Sequence, residues 1–237
     1  MNASVAVVAG AGPGLGRALG QRFNQGGMRV AMLARDAARL SALAASIGPD
    51  ARALACDLTD PDAVGASFDR IDRELGSPQC VIFNAGTYRP GTVLEITARD
   101  FQDCWKIGCY AGFLVGQQAA RRMVDRGSGS ILFTGATASL RGGARFVNLA
   151  SPKFALRALA QSMARELGPR GVHVAHVIID GQIGAPDRQR PQAPGASGTP
   201  DAQLDPAAIA EAYWQLHTQP RSAWTLELDL RPWVERF

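Results

Sequence analysis

The chain has 237 residues, of which 46% are hydrophobic and 19% charged, with a formal charge of +4 and a pI of about 9.2. It is long enough to bury one sizeable core. No apolar run suffices to span a membrane and no signal peptide is evident, so a cytoplasmic location is expected; the scattered arginines form no basic block and argue against a nucleic-acid partner.

In chain order, residues 5–9 are a continuous apolar run, short enough for a buried strand and too short for a helix that stands alone. The run breaks into Gly10, Gly12, Gly14 and Gly16 and resumes at helical spacing with Leu15, Ala18, Leu19 and Phe23. Strand, glycine turn and helix together give the loop a mechanism. Without Cβ atoms the backbone turns sharply and can approach a pyrophosphate, whose charge then meets the free N–H groups of the new helix. The spacing is Gly10-x-x-x-Gly14-x-Gly16. A tight turn that binds nothing would use the same glycines, but the place directly after a buried strand favours the nucleotide.

Further strands are expected at 29–34, 51–55, 79–83, 130–134, 171–179 and 225–230. Helices are expected at 37–47, from Asp60-Pro61 to Leu75, at about 100–126, at about 149–167 and at 206–217. Residues 182–203, rich in Pro, Gly, Ala and Gln, read as a long mobile loop over a substrate. The alternation predicts an α/β fold in a single domain over 1–237. It is a Rossmann-like, doubly wound parallel sheet of about seven strands with helices on both faces, and ligands sit at the carboxyl ends of the strands. Cys56, Cys80, Cys104 and Cys109 have no C-x-x-C or metal spacing and read as buried reduced thiols, with no metal site. Of 25 basic residues only Lys106 and Lys153 are lysines.

The Gly10-x-x-x-Gly14-x-Gly16 turn, Asn84-Ala85-Gly86 after the fourth strand, Asp57 after the third and Lys153 after the fifth together resemble the short-chain dehydrogenase/reductase family over essentially the whole chain. The resemblance implies a dinucleotide cofactor. Gly10, Gly14, Leu15 and Gly16 would admit its pyrophosphate, and Asp57 and Leu58 would flank the adenine. Asn84, Ala85 and Gly86 would hold the adenosine–nicotinamide span, Lys153 would bond the nicotinamide ribose, and Ile183 would lie beside the cofactor after the sixth strand. At the end of the second strand Ala34 is followed by Arg35, whose guanidinium suits a 2′-phosphate. NADP(H) is therefore favoured over NAD(H), with an Arg35–Asp36 charge pair as the alternative use of that arginine.

The resemblance fails at the catalytic positions. The family's tyrosine, four residues before the lysine, is Leu149 here; its serine is Ala136; its asparagine is Gly108. The related enoyl reductases' tyrosine position holds Phe146, and the Pro-Gly after the sixth strand is Asp180-Gly181. General acid catalysis is commonly worth about 10²–10⁴ in rate, so the family's usual chemistry cannot run unaided. Lys153 is the retained catalytic position and Tyr88 a surrogate proton source. Thr134, Thr137, Ser139, Ser151, Asn148 and Asp180 offer polar groups, although Ser151-Pro152 reads as well as a helix cap. Two readings compete: an oxidoreductase of unknown small-molecule substrate with non-standard catalysis, and an inactive dinucleotide-binding sensor or regulatory subunit. By the resemblance the helices at 100–126 and 149–167 form a homodimer or homotetramer, with Gly112, Gly116, Ala119, Ala155 and Ala158 permitting close packing.

Overall fold

The computed structural model describes residues 4–184 and 201–235. Seven strands form one sheet, parallel at every pairing: β1 (Val5–Ala9), β2 (Arg29–Ala34), β3 (Ala51–Ala55), β4 (Pro78–Phe83), β5 (Gly129–Thr134), β6 (Val172–Ile179) and β7 (Glu227–Leu230). Their order across the sheet is β3-β2-β1-β4-β5-β6-β7. The chain winds outward from β1 to β3, then returns to place β4 on the other side of β1. The crevice at the carboxyl ends of β1 and β4 is therefore the switch point at which a doubly wound sheet binds ligands.

The pleat decides how the core divides. In β1, Val5, Val7 and Ala9 face a cluster with Phe68, Val115 and Leu156, which come from α3 (Pro61–Glu74), α5 (Ala111–Val124) and α6 (Val147–Leu167). Ala6 and Val8 face the opposite cluster with Leu19, Phe23, Leu40 and Tyr213, from α1 (Leu15–Gln25), α2 (Ala37–Ile47) and α7 (Pro206–Thr218). Both faces are covered, which is why the strands read as unbroken apolar runs.

Helix starts follow their capping residues. Asp36 caps α2, Asp60 caps α3 ahead of Pro61, and Asp205 caps α7 ahead of Pro206. The helix expected at about 100–126 is two, α4 (Ala98–Trp105), capped by Thr97, and α5, joined by a wider π turn over Lys106–Tyr110. A Cβ added to Gly108 within that turn would lie 2.7 Å from Pro152 Cβ, so the turn is pressed against α6. Helix α6 begins two residues earlier than expected, and Pro152 lies inside it. Ser151-Pro152 is thus not a cap. Gly112 and Gly116 also change meaning: added Cβ atoms would strike Leu156 at 2.5 Å and Phe133 at 3.0 Å, and Ala119 is fully buried. These three serve packing within the chain, not an outer face. Of the loop expected at 182–203, residues 185–200 lie outside the described residues.

Candidate active site

The glycine turn is shaped by contact with β4. Gly10 has φ +92°, and a Cβ there would sit 2.4 Å from the Ala85 backbone nitrogen. At Gly16 a Cβ would come to 2.9 Å from Ala11 Cα, where α1 closes on the turn. Gly12 and Gly14 meet nothing within 4 Å, so the turn is open on the side away from the protein. Gly14 is the N-cap of α1 and brings no capping side chain. The first N–H groups of this helix therefore rely on another acceptor, and an anion suits them. Leu15 itself points into the core, which limits any cofactor contact to its backbone.

Asn84 ties β4 to this turn. Its backbone N–H donates to Ala9 O at 2.7 Å and its side-chain amide to Gly10 O at 3.1 Å. Asn84 is a clamp on the turn before it is a wall of the site. From here a cleft of about 1370 Å³ runs along the carboxyl edge of the sheet. It is lined at one end by Arg35, Asp57 and Leu58 and at the other by Asn84, Ala85 and Gly86, with Gly10 between. Seven of the residues expected to hold the cofactor are thus gathered in one crevice.

At the outer end, Asp57 Oδ1 accepts bonds from the Thr59 N–H at 2.9 Å and the Thr59 hydroxyl at 2.8 Å, which hold its carboxyl below the usual range. Asp36 caps α2 through the Arg39 N–H at 3.0 Å and pairs with the Arg39 guanidinium at 3.3 Å. Arg35, exposed on the cleft wall, has no carboxylate within ion-pair distance among the described residues. The Arg35–Asp36 pair left open by the sequence is therefore not formed. Arg17 lines the same cleft, and its Nε is buried without a partner among the described residues. Sequence reasoning passed over Arg17, although its place directly after Gly16 was a signal. Lys106, the other lysine, lines the cleft too.

Lys153 lies beyond the lining, next to its inner end. A Cβ added to Gly86 would be 3.7 Å from Lys153 Nζ. The amine is buried and donates to Thr134 O at 2.6 Å, and burial pushes its pKa down to about 8. His176 on β6 is fully buried, and burial, with the Lys153 charge nearby, takes it to about 4, so its ring is neutral.

The other polar candidates divide sharply. The Thr134 hydroxyl pairs with Tyr213 at 2.8 Å in the core. Ser139 is fully buried, accepts the Ala136 N–H at 3.2 Å and lies 3.4 Å from His176 Nε2. The Asn148 amide donates to Arg89 O at 3.2 Å. Tyr88, half exposed, stacks on Phe146 with ring centroids 5.1 Å apart, so it is packed against the segment leading into α6. Thr137, one residue past Ala136, donates its hydroxyl to Asp180 Oδ1, and Arg231 stands 3.7 Å from the other oxygen of that carboxylate. Ile183 bridges to Leu204 and packs on the apolar cluster beneath; it does not line the cleft. All four cysteines are buried and free, and among the described residues no group of His, Cys, Asp and Glu could hold a metal and no helix is long and apolar enough to cross a membrane.

A doubly wound parallel sheet with an open glycine turn at its switch point defines a dinucleotide-binding fold. The chain belongs to the short-chain dehydrogenase family, whose profile matches residues 4–186. It is 30% identical over 177 residues to D-threitol dehydrogenase of Mycolicibacterium smegmatis, covering 73% of this chain and 68% of that one. Among solved structures it is similar to a short-chain dehydrogenase from Rhodopseudomonas palustris, with 40% identity, a TM-score of 0.83 and coverage of 97% and 99%. It is also similar to a metagenomic short-chain oxidoreductase in complex with NADP, at 25% identity, a TM-score of 0.83 and 99% coverage of each chain.

Proposed function

We propose that this chain is an NADP(H)-preferring oxidoreductase acting on a small alcohol or carbonyl compound, with proton handling that does not use the family's phenol. The observation that carries the reading is the continuity of the cleft from Arg35 at its outer end to Gly86, with the Lys153 amine adjoining its inner end. The residues fit the group. The open faces of Gly12 and Gly14 leave room for a pyrophosphate, and among the described residues Arg17 Nε lacks a partner that a phosphate oxygen could supply. Arg35 favours a 2′-phosphate, and Lys153 suits the ribose hydroxyls. A bound nicotinamide would supply or accept the hydride. The NADP complex of the metagenomic neighbour supports a nucleotide in the corresponding cleft.

A second reading, a dinucleotide-binding protein without turnover, is favoured by Leu149, Ala136 and Gly108. Calorimetric titration with NADPH and NADH, with Lys153→Ala as control, tests the shared premise. Micromolar NADPH binding, weaker in the variant and weaker for NADH, is expected; absence of binding by either nucleotide would end both readings. Oxidation or reduction of any member of a broad alcohol and carbonyl panel then separates them, and saturable binding without turnover leaves the second. A homodimer or homotetramer remains part of the proposal. Its support is now the exposed aromatics Phe101, Trp105, Phe113 and Phe154 on α4, the π turn's edge, α5 and α6, and sedimentation as a monomer at micromolar concentration would remove it.

A further inference from the structure

We propose that Thr137 and Asp180 form the proton-transfer pair of this site, with the Thr137 hydroxyl touching the substrate oxygen and Asp180 holding the proton behind it. The inference rests on the oxidoreductase reading above. Both residues stand just past the carboxyl ends of adjacent strands, Thr137 after β5 and Asp180 after β6, on the edge of the sheet that carries the cleft. Thr137 adjoins Ala136, where the family's hydroxyl is missing, and Asp180 replaces the family's proline, which could carry no proton.

The geometry separates this hydroxyl from the others. Thr134 and Ser139 spend theirs inside the core, on Tyr213 and on the Ala136 N–H beside His176. Thr137 is only half-buried, and its hydrogen is committed to Asp180 Oδ1, which leaves its oxygen lone pairs for a ligand. Asp180 is a buried carboxylate, 6% exposed. The charged neighbour within ion-pair distance among the described residues is Arg231, at 3.7 Å from Oδ2, itself paired with Asp229. A buried carboxylate aimed at a half-exposed hydroxyl is the arrangement by which a weak oxygen base is strengthened.

The step balances. In the oxidative direction the substrate O–H bond breaks as its proton moves to Thr137 Oγ1, and the hydrogen already on Oγ1 moves to Asp180 Oδ1. The substrate C–H bond would break with its electron pair, for which a bound oxidised nicotinamide would be the acceptor, leaving a carbonyl. Reduction reverses each transfer, and Asp180 regains its proton from solvent or loses it there between turnovers.

The test uses the full chain. First, proton NMR of the nucleotide-free protein reads the Thr137 hydroxyl, whose bond to Asp180 slows its exchange with water and gives a resolved signal. Asp180→Ala is expected to lose that signal, whereas Thr137→Ser keeps it. Second, on a substrate found in the panel, Thr137→Val and Asp180→Asn are expected to lower kcat at least 100-fold, as loss of an acid–base group does, and to abolish the solvent deuterium isotope effect. Their NADPH dissociation constants stay within three-fold, and Thr137→Ser stays at least ten-fold faster than Thr137→Val. A hydroxyl signal unchanged in Asp180→Ala, or a kcat within three-fold in both variants, overturns the pair while the oxidoreductase reading stands. A parent protein that binds NADPH and turns over nothing overturns both.

Discussion

Lys153→Met separates what the buried amine costs the fold from what it does for a ligand. Burial takes this lysine from its ordinary 10.5 to about 8, and its amine donates to a neutral carbonyl, Thr134 O. At about 1.4 kcal/mol per pKa unit, keeping the ammonium charged in the folded state at neutral pH costs about 3 kcal/mol. Methionine has similar length and no charge, and forfeits the bond to Thr134 O, which is worth about 1 kcal/mol. Lys153→Met should therefore be more stable than the parent by about 2 kcal/mol at pH 7, or about 4–8 °C in Tm for a chain of this size.

The pH dependence has a definite sign. Between pH 8 and 10.5 the unfolded chain keeps the lysine proton and the folded chain has lost it, so the parent gains stability as pH rises through this window. Below about pH 8 the penalty is fully present, and above about 10.5 it is gone. Urea unfolding of parent and variant at pH 7 and at pH 10 reads the difference, in which other titrating groups cancel. The variant's advantage should shrink steadily over that interval and end near zero or reversed. A variant less stable than the parent at pH 7, or an advantage unchanged at pH 10, would refute the reasoning. NADPH binding should weaken in the same variant, because a group kept at a cost to stability is one the site uses.

Other expected outcomes follow from the same contacts. Gly10→Ala should destabilise by more than about 2 kcal/mol in urea unfolding, since it combines φ +92° with a 2.4 Å clash on Ala85. Gly12→Ala, with nothing within 4 Å of the new Cβ, should leave stability within about 0.5 kcal/mol yet weaken NADPH binding in calorimetry by crowding the pyrophosphate. Arg35→Glu should weaken NADPH at least ten-fold, about 1.4 kcal/mol, and leave NADH within a few-fold; equal losses for both would refute 2′-phosphate recognition by this residue. Gly108→Ala should destabilise by about 1–3 kcal/mol against Pro152, although alanine is the better helix former by about 1 kcal/mol.

The sheet and its helices were legible because period tracks burial. Strands covered on both faces show as apolar runs such as Val5–Ala9, and the caps at Asp60 and Asp205 mark helix starts. What was not legible depends on residues far apart in sequence. The π turn at Lys106–Tyr110 answers to Pro152, some forty residues on, and nothing local announces it. Gly112 and Gly116 looked available for a partner because spacing cannot tell which side of a helix meets its own core. Asn84 reads as a cofactor residue by motif, whereas its amide reaches back to Gly10 across 74 positions. Arg35 and Asp36 are neighbours whose pairing composition leaves open, and the cap geometry of α2 assigns Asp36 to Arg39.

The two halves of the cleft have changed to different degrees, and the changes hang together. On one side the glycine turn, the Asn84 amide bonded to Gly10 O and the buried Lys153 amine beside Gly86 stand together at the carboxyl ends of β1 and β4. On the reacting side Leu149 lies one helical turn before Lys153, on the same face of α6, so the phenol's place is taken by an aliphatic side chain. Gly108 leaves no room for a side chain, because Pro152, the residue before that lysine, occupies the space. Ala136 has no hydroxyl, while Thr137 beside it has one already bonded to Asp180. Restoring a tyrosine at 149 alone would therefore meet neither the hydroxyl nor the asparagine that such a phenol works with. The Asp180 carboxylate, 6% exposed, offsets the cost of its desolvation through the Thr137 hydroxyl and through Arg231 at 3.7 Å, so the orientation of that hydroxyl is set before any ligand arrives.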